Sequence, residues 1–536
     1  MKRIFGRANK RISLGNAAAL LVGASAIGQL LGLLRTKLVN GNFPAFGPGS
    51  TDAYFAAFKI PDFFYFSLAA GALGVAFMPF LAERLARGDR KSVFELSNSL
   101  LNLLAVVMFG VGLVILIFAD QLISYVVAPD MSSEQTHNAA TIMRLIAFNP
   151  MIFAISAIFV SVQQTFGRFF FYSMTTIFYN IPIIIAATMF STLGNNDGGP
   201  GNLGLIGLGI GALIGALLQL SVAIMGFVGL GYRYRPAINW RNKDFRQILR
   251  KLPPRSLDQG VDSVNSIAET NFASRLGTGQ LSFYENAYVI HTAPTFLIGT
   301  TISTAAFPRL NDRLAQGRSD LFRSDFLKIL RAIIWITVPV AVIAFFTRGY
   351  LARLIYTQNS PEIASILGLF TAAILFRTVY TLMSRWFYAQ KDTMTPLYVS
   401  LFAIAINIFL AYVLSKIYGV VGLALAQSIV ATVEVAILFV IMIIRDRKLL
   451  DPYFWKGIVG IIAVTGFTVI AAYQMLQFFP LGAADRGFVT LGAKLALISA
   501  VTLGVHLFMS SVFGLNEAKT VINRVRRFIL SQVKVQ

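Results

Sequence analysis

Apolar stretches of the length that crosses a bilayer recur from one end of this chain to the other, leaving little sequence for anything else. A helix needs about 20 predominantly apolar residues to span the hydrocarbon core. On that measure spans are predicted at 14 to 40, 52 to 82, 93 to 119, 139 to 165, 169 to 193, 204 to 231, 254 to 276, 282 to 307, 328 to 347, 361 to 388, 396 to 415, 420 to 444, 455 to 478 and 489 to 513. The seventh is the least apolar, and the charge pattern of its neighbours argues for it. With 56% hydrophobic and 13% charged residues among 536, the expected fold is all-α, a polytopic membrane protein of fourteen transmembrane helices. The apolar start runs on past Arg35 with no small-residue cleavage site, so it reads as the first span rather than a signal peptide.

The net charge of +22 is not a nucleic-acid signature, because a nucleic-acid binder would not bury so much apolar length. Most Lys and Arg fall in the N-tail (Lys2, Arg3, Arg7, Lys10, Arg11), the C-tail and loops of one parity. Loops of the other parity, such as "NGNFPAFGPGS", "NNDGGPGN" and "GTGQ", hold almost none. Positive charge stays inside, so both termini are expected in the cytosol, which requires an even number of spans. Cysteine is absent, and histidine occurs only at 137, 291 and 506, too scattered to suggest a metal site. No phosphate-binding Gly-x4-Gly-Lys-Ser/Thr motif is present, and the outward loops are too short and uncharged for a glycan-assembly enzyme. A nonenzymatic role is expected, driven by an ion gradient or the membrane potential. A scaffold using its basic loops would not explain the acids of the seventh span.

"PFLAERLARG" (79 to 88) returns as "PRLNDRLAQG" (308 to 317), each at the cytosolic end of a span, six spans apart. Parallel repeats of this kind place a central site between two halves. The predicted organisation is a basic tail (1–13), an N-lobe of six helices (14–231), a basic linker (232–253), a C-lobe of six helices (254–444), two appended helices (445–513) and a basic tail (514–536).

Charges inside the spans mark the candidate site, since an intramembrane ionisable residue usually lines a cavity or pairs with another. "TDAYFAAFKIPD" holds Asp52 at its mouth and Lys59 and Asp62 about one turn apart, either as a neutralising pair or as lining for a path. Arg35 lies deep enough in the first span to face a cavity, whereas Lys37 can snorkel outward. In the seventh span Asp262, Asn265 and Glu269 fall at about 40°, −20° and 20° from Asp258, forming one polar stripe. Asp258 near the cytosolic end could equally pair with Arg255. Arg144, Glu285, Arg377, Arg385 and Glu434 are secondary candidates.

The run from Gly32 to Glu83 resembles the first two helices of the MurJ (MviN) lipid II flippases of the multidrug/oligosaccharidyl-lipid/polysaccharide exporter superfamily. The pattern is carried by Gly32, Arg35, Thr51, Asp52, Ala53, Tyr54, Ala57, Phe58, Lys59, Pro61, Gly71, Ala72, Ala76, Phe77 and Pro79. "NFASRLGTGQLSFYENAYVIHTAPTFLIGTTISTAAFPRL" resembles the family's seventh-to-eighth helix region. The resemblance implies two six-helix lobes around a cationic central cavity, with helices 13 and 14 forming a groove for a lipid tail. It implies alternating-access transfer of lipid II, an undecaprenyl pyrophosphate-linked disaccharide-pentapeptide, from the inner to the outer leaflet of the bacterial cytoplasmic membrane, supporting cell wall synthesis and cell shape. The protein would be a monomer in the lipid bilayer, with no cofactor.

The resemblance puts substrate at Arg35, Asp52 and Lys59, to which the charge pattern adds Asp62 as neutraliser or gate partner; gating or ion coupling is expected at the polar stripe Asp258, Asp262, Asn265 and Glu269, with Asn407 added by the resemblance. Sodium, if it couples transport, would sit at Asp262 and Asn407; proton coupling is the alternative. The chain departs from the family pattern at Gln29, Tyr65, Phe66 and Ala70, at Ala287, Tyr288 and Val289, and at Ala411. Arg35, Asp52 and Lys59 are what remains of the first motif's charged set. Another undecaprenyl-linked oligosaccharide as cargo, or cation-coupled drug export, are the alternative functions; export predicts twelve helices, against helices 13 and 14.

Overall fold

A computed structural model describes residues 14–70, 77–193, 197–356, 359–483, 485 and 487–519, with residues 14–19, 22, 69–70 and 251–259 described by backbone alone. The basic tails up to residue 13 and from residue 520 lie outside the described residues, as do Gly71, Ala72 and Ala76 of the first motif. Each predicted span contains helix among its described residues, although the helix is broken at 146–148 and ends before 190–193 and 226–231, and no strand occurs among the described residues. Among the described residues, ten helical stretches are long and apolar enough to cross a membrane. The other four predicted spans, 14 to 40, 52 to 82, 254 to 276 and 282 to 307, hold most of the candidate charged residues.

The chain forms two compact units, 1–282 and 283–536. The first contains α1 (Leu14–Asn42), α2 (Asp52–Phe64), α3 (Met78–Ala86), α4 (Arg90–Gln121), α5 (Ser133–Leu145), α6 (Asn149–Thr165), α7 (Phe170–Met189), α8 (Leu205–Met225) and α9 (Lys243–Ser274). Helix α10 (Gln280–Pro294) begins at its end. The glycines of "LGLIGLGIGALIGALL" explain how α8 lies on α7. A Cβ at Gly207 would fall 2.2 Å from the Phe190 ring, at Gly211 2.6 Å from Ala186 and at Gly215 2.5 Å from the Tyr179 carbonyl. Spaced four apart, they form a side-chain-free stripe that lets the backbones approach.

The second unit contains the rest of α10, then α11 (Thr301–Ala315), α12 (Ser319–Phe346), α13 (Arg348–Ile355), α14 (Ser360–Ala389), α15 (Met394–Tyr418), α16 (Val420–Arg445), α17 (Pro452–Phe478) and α18 (Phe488–Val512). Its core gathers Phe326, Leu330, Leu382, Trp386, Phe387, Leu438 and Phe454. The appended pair is fastened to α12 by polar contacts: Trp335 Nε1 donates to Ser510 Oγ at 2.8 Å, and Arg331 pairs with Glu517 at 2.8 Å.

The repeated motif has the same local form in each unit. A π-helical turn precedes it, at Tyr65–Ala70 and at Thr295–Thr300. Each copy closes on a glycine of positive φ, +80° at Gly88 and +70° at Gly317, the conformation that ends a helix without a Cβ clash.

Counting by repeat assigns the seventh span to the C-lobe, whereas by compactness α9 belongs to the first unit. The reason is close packing on the second span. A Cβ at Gly260 would fall 2.5 Å from Ser67 Oγ, so α9 and the π-helical turn after α2 nearly touch.

Candidate functional site

Helix α2 brings three of the four candidate substrate residues into the first unit, and they sit in different environments. Asp52 is 3% exposed, and its carboxylate accepts three hydrogen bonds from the start of α10. One oxygen accepts from the Gly279 amide at 2.5 Å, the other from the Ser282 amide at 2.8 Å and its hydroxyl at 2.6 Å. The first amides of a helix have no intrahelical acceptor, so Asp52 acts as a helix cap supplied from a distant part of the chain. Thr51 shares Ser282 Oγ at 2.8 Å, and Gln135 reaches Ser50 Oγ at 2.8 Å, knitting the mouth of α2 to two other segments.

Two turns further on, Lys59 is half-buried and donates from Nζ to Ser266 Oγ on α9 at 2.9 Å. Asp62, also half-buried, and Arg35 on α1 both lie near enough to Tyr54 and Tyr179 to act on their hydroxyls electrostatically. Arg35, Lys59 and Asp62 all belong to the first unit, and Arg35 and Asp62 share Tyr54 and Tyr179 as neighbours. Tyr65, one of the departures from the family pattern, packs edge-on against Phe153 at 5.5 Å, and Phe153 against Tyr179 at 5.3 Å. An aromatic row lines this part of the unit.

The polar stripe of α9 is split by burial. Asp262 is exposed, while Asn265 and Glu269 are buried and joined by a 2.9 Å hydrogen bond from Asn265 Nδ2 to Glu269 Oε1. Asp258 lies on α9, with its side chain outside the described residues, as is that of Arg255. Asn407 belongs to the second unit, on α15, 2% exposed.

Ser266, the partner of Lys59, was not predicted, because a hydroxyl beside Asn265 adds nothing to a charge or hydropathy pattern. Two secondary candidates form a network in the second unit. Arg377 on α14 donates to Glu434 Oε2 at 3.0 Å and Gln427 Oε1 at 3.2 Å, both on α16. Ser400 on α15 donates to Glu434 Oε1 at 2.8 Å. Arg144 pairs with Asp120, and Arg385 lies over the Phe307 ring at 5.3 Å.

Two helical units built on a shared π-broken motif, with ionised residues held inside apolar spans, define a multi-pass membrane protein of the transporter class. Its fold is similar to that of a solved lipid II flippase MurJ in an inward closed conformation, with TM-score 0.75 and 22% identity over 92% of this chain and 98% of that one. It is also similar to an inward-facing multidrug resistance MATE family transporter, with TM-score 0.66 and 15% identity over 81% of this chain and 98% of that one. The family described as lipid II flippase MurJ matches residues 45–491. The chain belongs to that family. Among curated relatives, the probable lipid II flippase MurJ of Borreliella burgdorferi is 22% identical over 94% of this chain and 98% of its own length. That of Vibrio cholerae is 26% identical over 79% of this chain and 82% of its own length.

Proposed function

We propose that the chain moves lipid II from the inner to the outer leaflet of the bacterial cytoplasmic membrane by alternating access, with both termini in the cytosol. The family match across residues 45–491 carries this reading. Arg35 and Lys59 are the anion contacts: an arginine can grip a phosphate through two donors, and a lysine acts as a compact point charge. Asp62 balances them. Asp52 contributes by fixing the start of α10 rather than by reaching cargo. In the second unit an apolar cavity of about 460 Å³ is lined by Val338, Val342, Leu375, Phe376, Thr465 and Val469, from α12, α14 and α17. A polyprenyl tail matches that lining in chemistry.

The test is rescue of peptidoglycan synthesis in cells depleted of their own flippase. Wild type should restore growth, and Arg35→Ala or Lys59→Gln should fail to do so at equal membrane level. Loss of one charge-assisted contact, roughly 1.5–3 kcal/mol, corresponds to about 10- to 100-fold weaker binding. A stable, inserted wild type that does not rescue would count against lipid II as cargo.

Coupling to a cation gradient, through the acids of α9 and Asn407, belongs to the same proposal. Replacing sodium by choline should slow flipping in reconstituted vesicles if sodium is the ion. An unchanged rate in choline, with loss on collapsing the proton gradient, would assign the drive to protons.

A further inference from the structure

Between α8 and α9 the chain runs as an extended strip, residues 231–239, with no helix or strand of its own, yet its backbone is pinned at several points to α4. Asn98 Nδ2 donates to the Arg233 carbonyl at 3.1 Å, and Asn102 Nδ2 to the carbonyls of Arg235 at 2.8 Å and Ala237 at 3.0 Å. The Asn239 amide donates to Ser99 Oγ at 3.1 Å. The hydroxyls of Tyr232 and Tyr234 return to the side-chain oxygens of Asn98 and Asn102. Three polar residues on one helix thus use the strip's polar backbone groups and leave the side chains of Arg233 and Arg235 outward.

Those side chains share one character. Arg233, Arg235, Arg241, Lys243, Arg246 and Arg250 are exposed, all within 18 residues by sequence number. The single acid among them, Asp244, is held by Arg84 at 2.6 Å. Tyr234 and Trp240 are 57% and 55% exposed, aromatics of the kind that settle at the headgroup level of a bilayer. The platform is rigid, because Phe245 and Ile248 on the opposite face of α9 are fully buried in the core formed with α3, α4 and α6. It is also continuous with the candidate site, since the same helix α9 carries Ser266, the partner of Lys59.

We propose that this face docks on the anionic phospholipid headgroups of the cytosolic leaflet and anchors the start of α9 at the membrane surface. The cations are spread along a strip and a helix face rather than converging on one point. Such spacing suits many monoanionic headgroups, not a single pyrophosphate. Exposed apolar rings between the cations suit an interface with hydrocarbon beneath it better than an acidic soluble protein. The inference rests on the proposed orientation and not on the cargo, so failure of the lipid II reading leaves it standing.

The experiment is tryptophan quenching in vesicles of phosphatidylcholine and phosphatidylglycerol, one or the other brominated, using the full chain. The protein has four tryptophans, so the Trp240 signal is the difference between wild type and Trp240→Phe. Brominated phosphatidylglycerol should quench Trp240 about twofold more than brominated phosphatidylcholine at equal mole fraction, and about 0.5 M salt should reduce the difference. Arg233→Gln, Arg235→Gln, Arg241→Gln and Arg246→Gln combined should bring the ratio to about one. Equal quenching by both lipids in the wild type would overturn the proposal and leave the face to an acidic protein. A preference untouched by the four substitutions would overturn it too. Because the chain has no cysteine, Arg235→Cys gives a single labelling site; reaction with an impermeant maleimide only from the outer side would overturn the cytosolic assignment.

Discussion

Asp52→Ala is expected to unfold the outer mouth of the first unit and to abolish rescue. The substitution removes the acceptor for two helix-start amides and a hydroxyl, in a site where the carboxylate is 3% exposed. Charge-assisted hydrogen bonds contribute about 1.5–3 kcal/mol each, and because the three share one side chain they do not add. A loss of about 3 kcal/mol is a fair expectation. Asp52→Asn should recover little. Its oxygen can serve Ser282, but its amide would then point a donor at the Gly279 N–H, which also donates.

Thermal unfolding in detergent and amide exchange at residues 279–282 would measure this directly. A cargo contact would behave differently, with binding lost and the melting temperature unchanged. If Asp52→Ala melts with wild type while losing transport, the capping role is wrong and Asp52 faces the substrate.

How far the sequence announces these features depends on the physics behind each. The spans are legible because apolar length is a property of composition, and each of them contains helix among its described residues. Lys59 is legible because a charge in an apolar run is costly wherever it lies. Its partner Ser266 is not, since the contact depends on how α9 lies across α2, which the glycine at 260 permits but periodicity does not encode. The π-helical turns at Tyr65–Ala70 and Thr295–Thr300 have no pattern of their own. Only the proline motifs that follow them in both halves hint that something recurs there. Asp52 shows the limit most plainly. The motif identifies it as a residue that matters, but a carboxylate capping its own helix, gripping a substrate or capping a helix 228 positions later in sequence reads the same in one dimension.

The second large effect concerns the buried pair of the second unit. Glu434 has a side chain 2% exposed, and Arg377, at 23%, reaches it across α14 and α16. Arg377→Ala removes the cation from a carboxylate that water cannot reach, and breaking such a pair from one side costs about 3–5 kcal/mol. Glu434→Ala should cost less, because Arg377 is the more exposed partner and keeps its hydrogen bond to Gln427. The double variant Arg377→Met with Glu434→Leu removes both charges and keeps most of the volume. It should lie within about 1–2 kcal/mol of wild type, since apolar replacements of a buried pair are often neutral.

Melting temperatures of wild type, Arg377→Met, Glu434→Leu and the double variant in one detergent make a double-mutant cycle, with a coupling energy of at least about 2 kcal/mol expected. Additive losses would show that the two residues act independently and that the 3.0 Å contact contributes little. The double variant also separates structure from transport. Where it folds and rescues, the pair serves to fix α14, α15 and α16 around Ser400 and Gln427. Where it folds as stably as wild type and cannot flip cargo, the charge itself is used in the cycle, and Glu434 becomes a further candidate for the cation coupling proposed for the acids of α9.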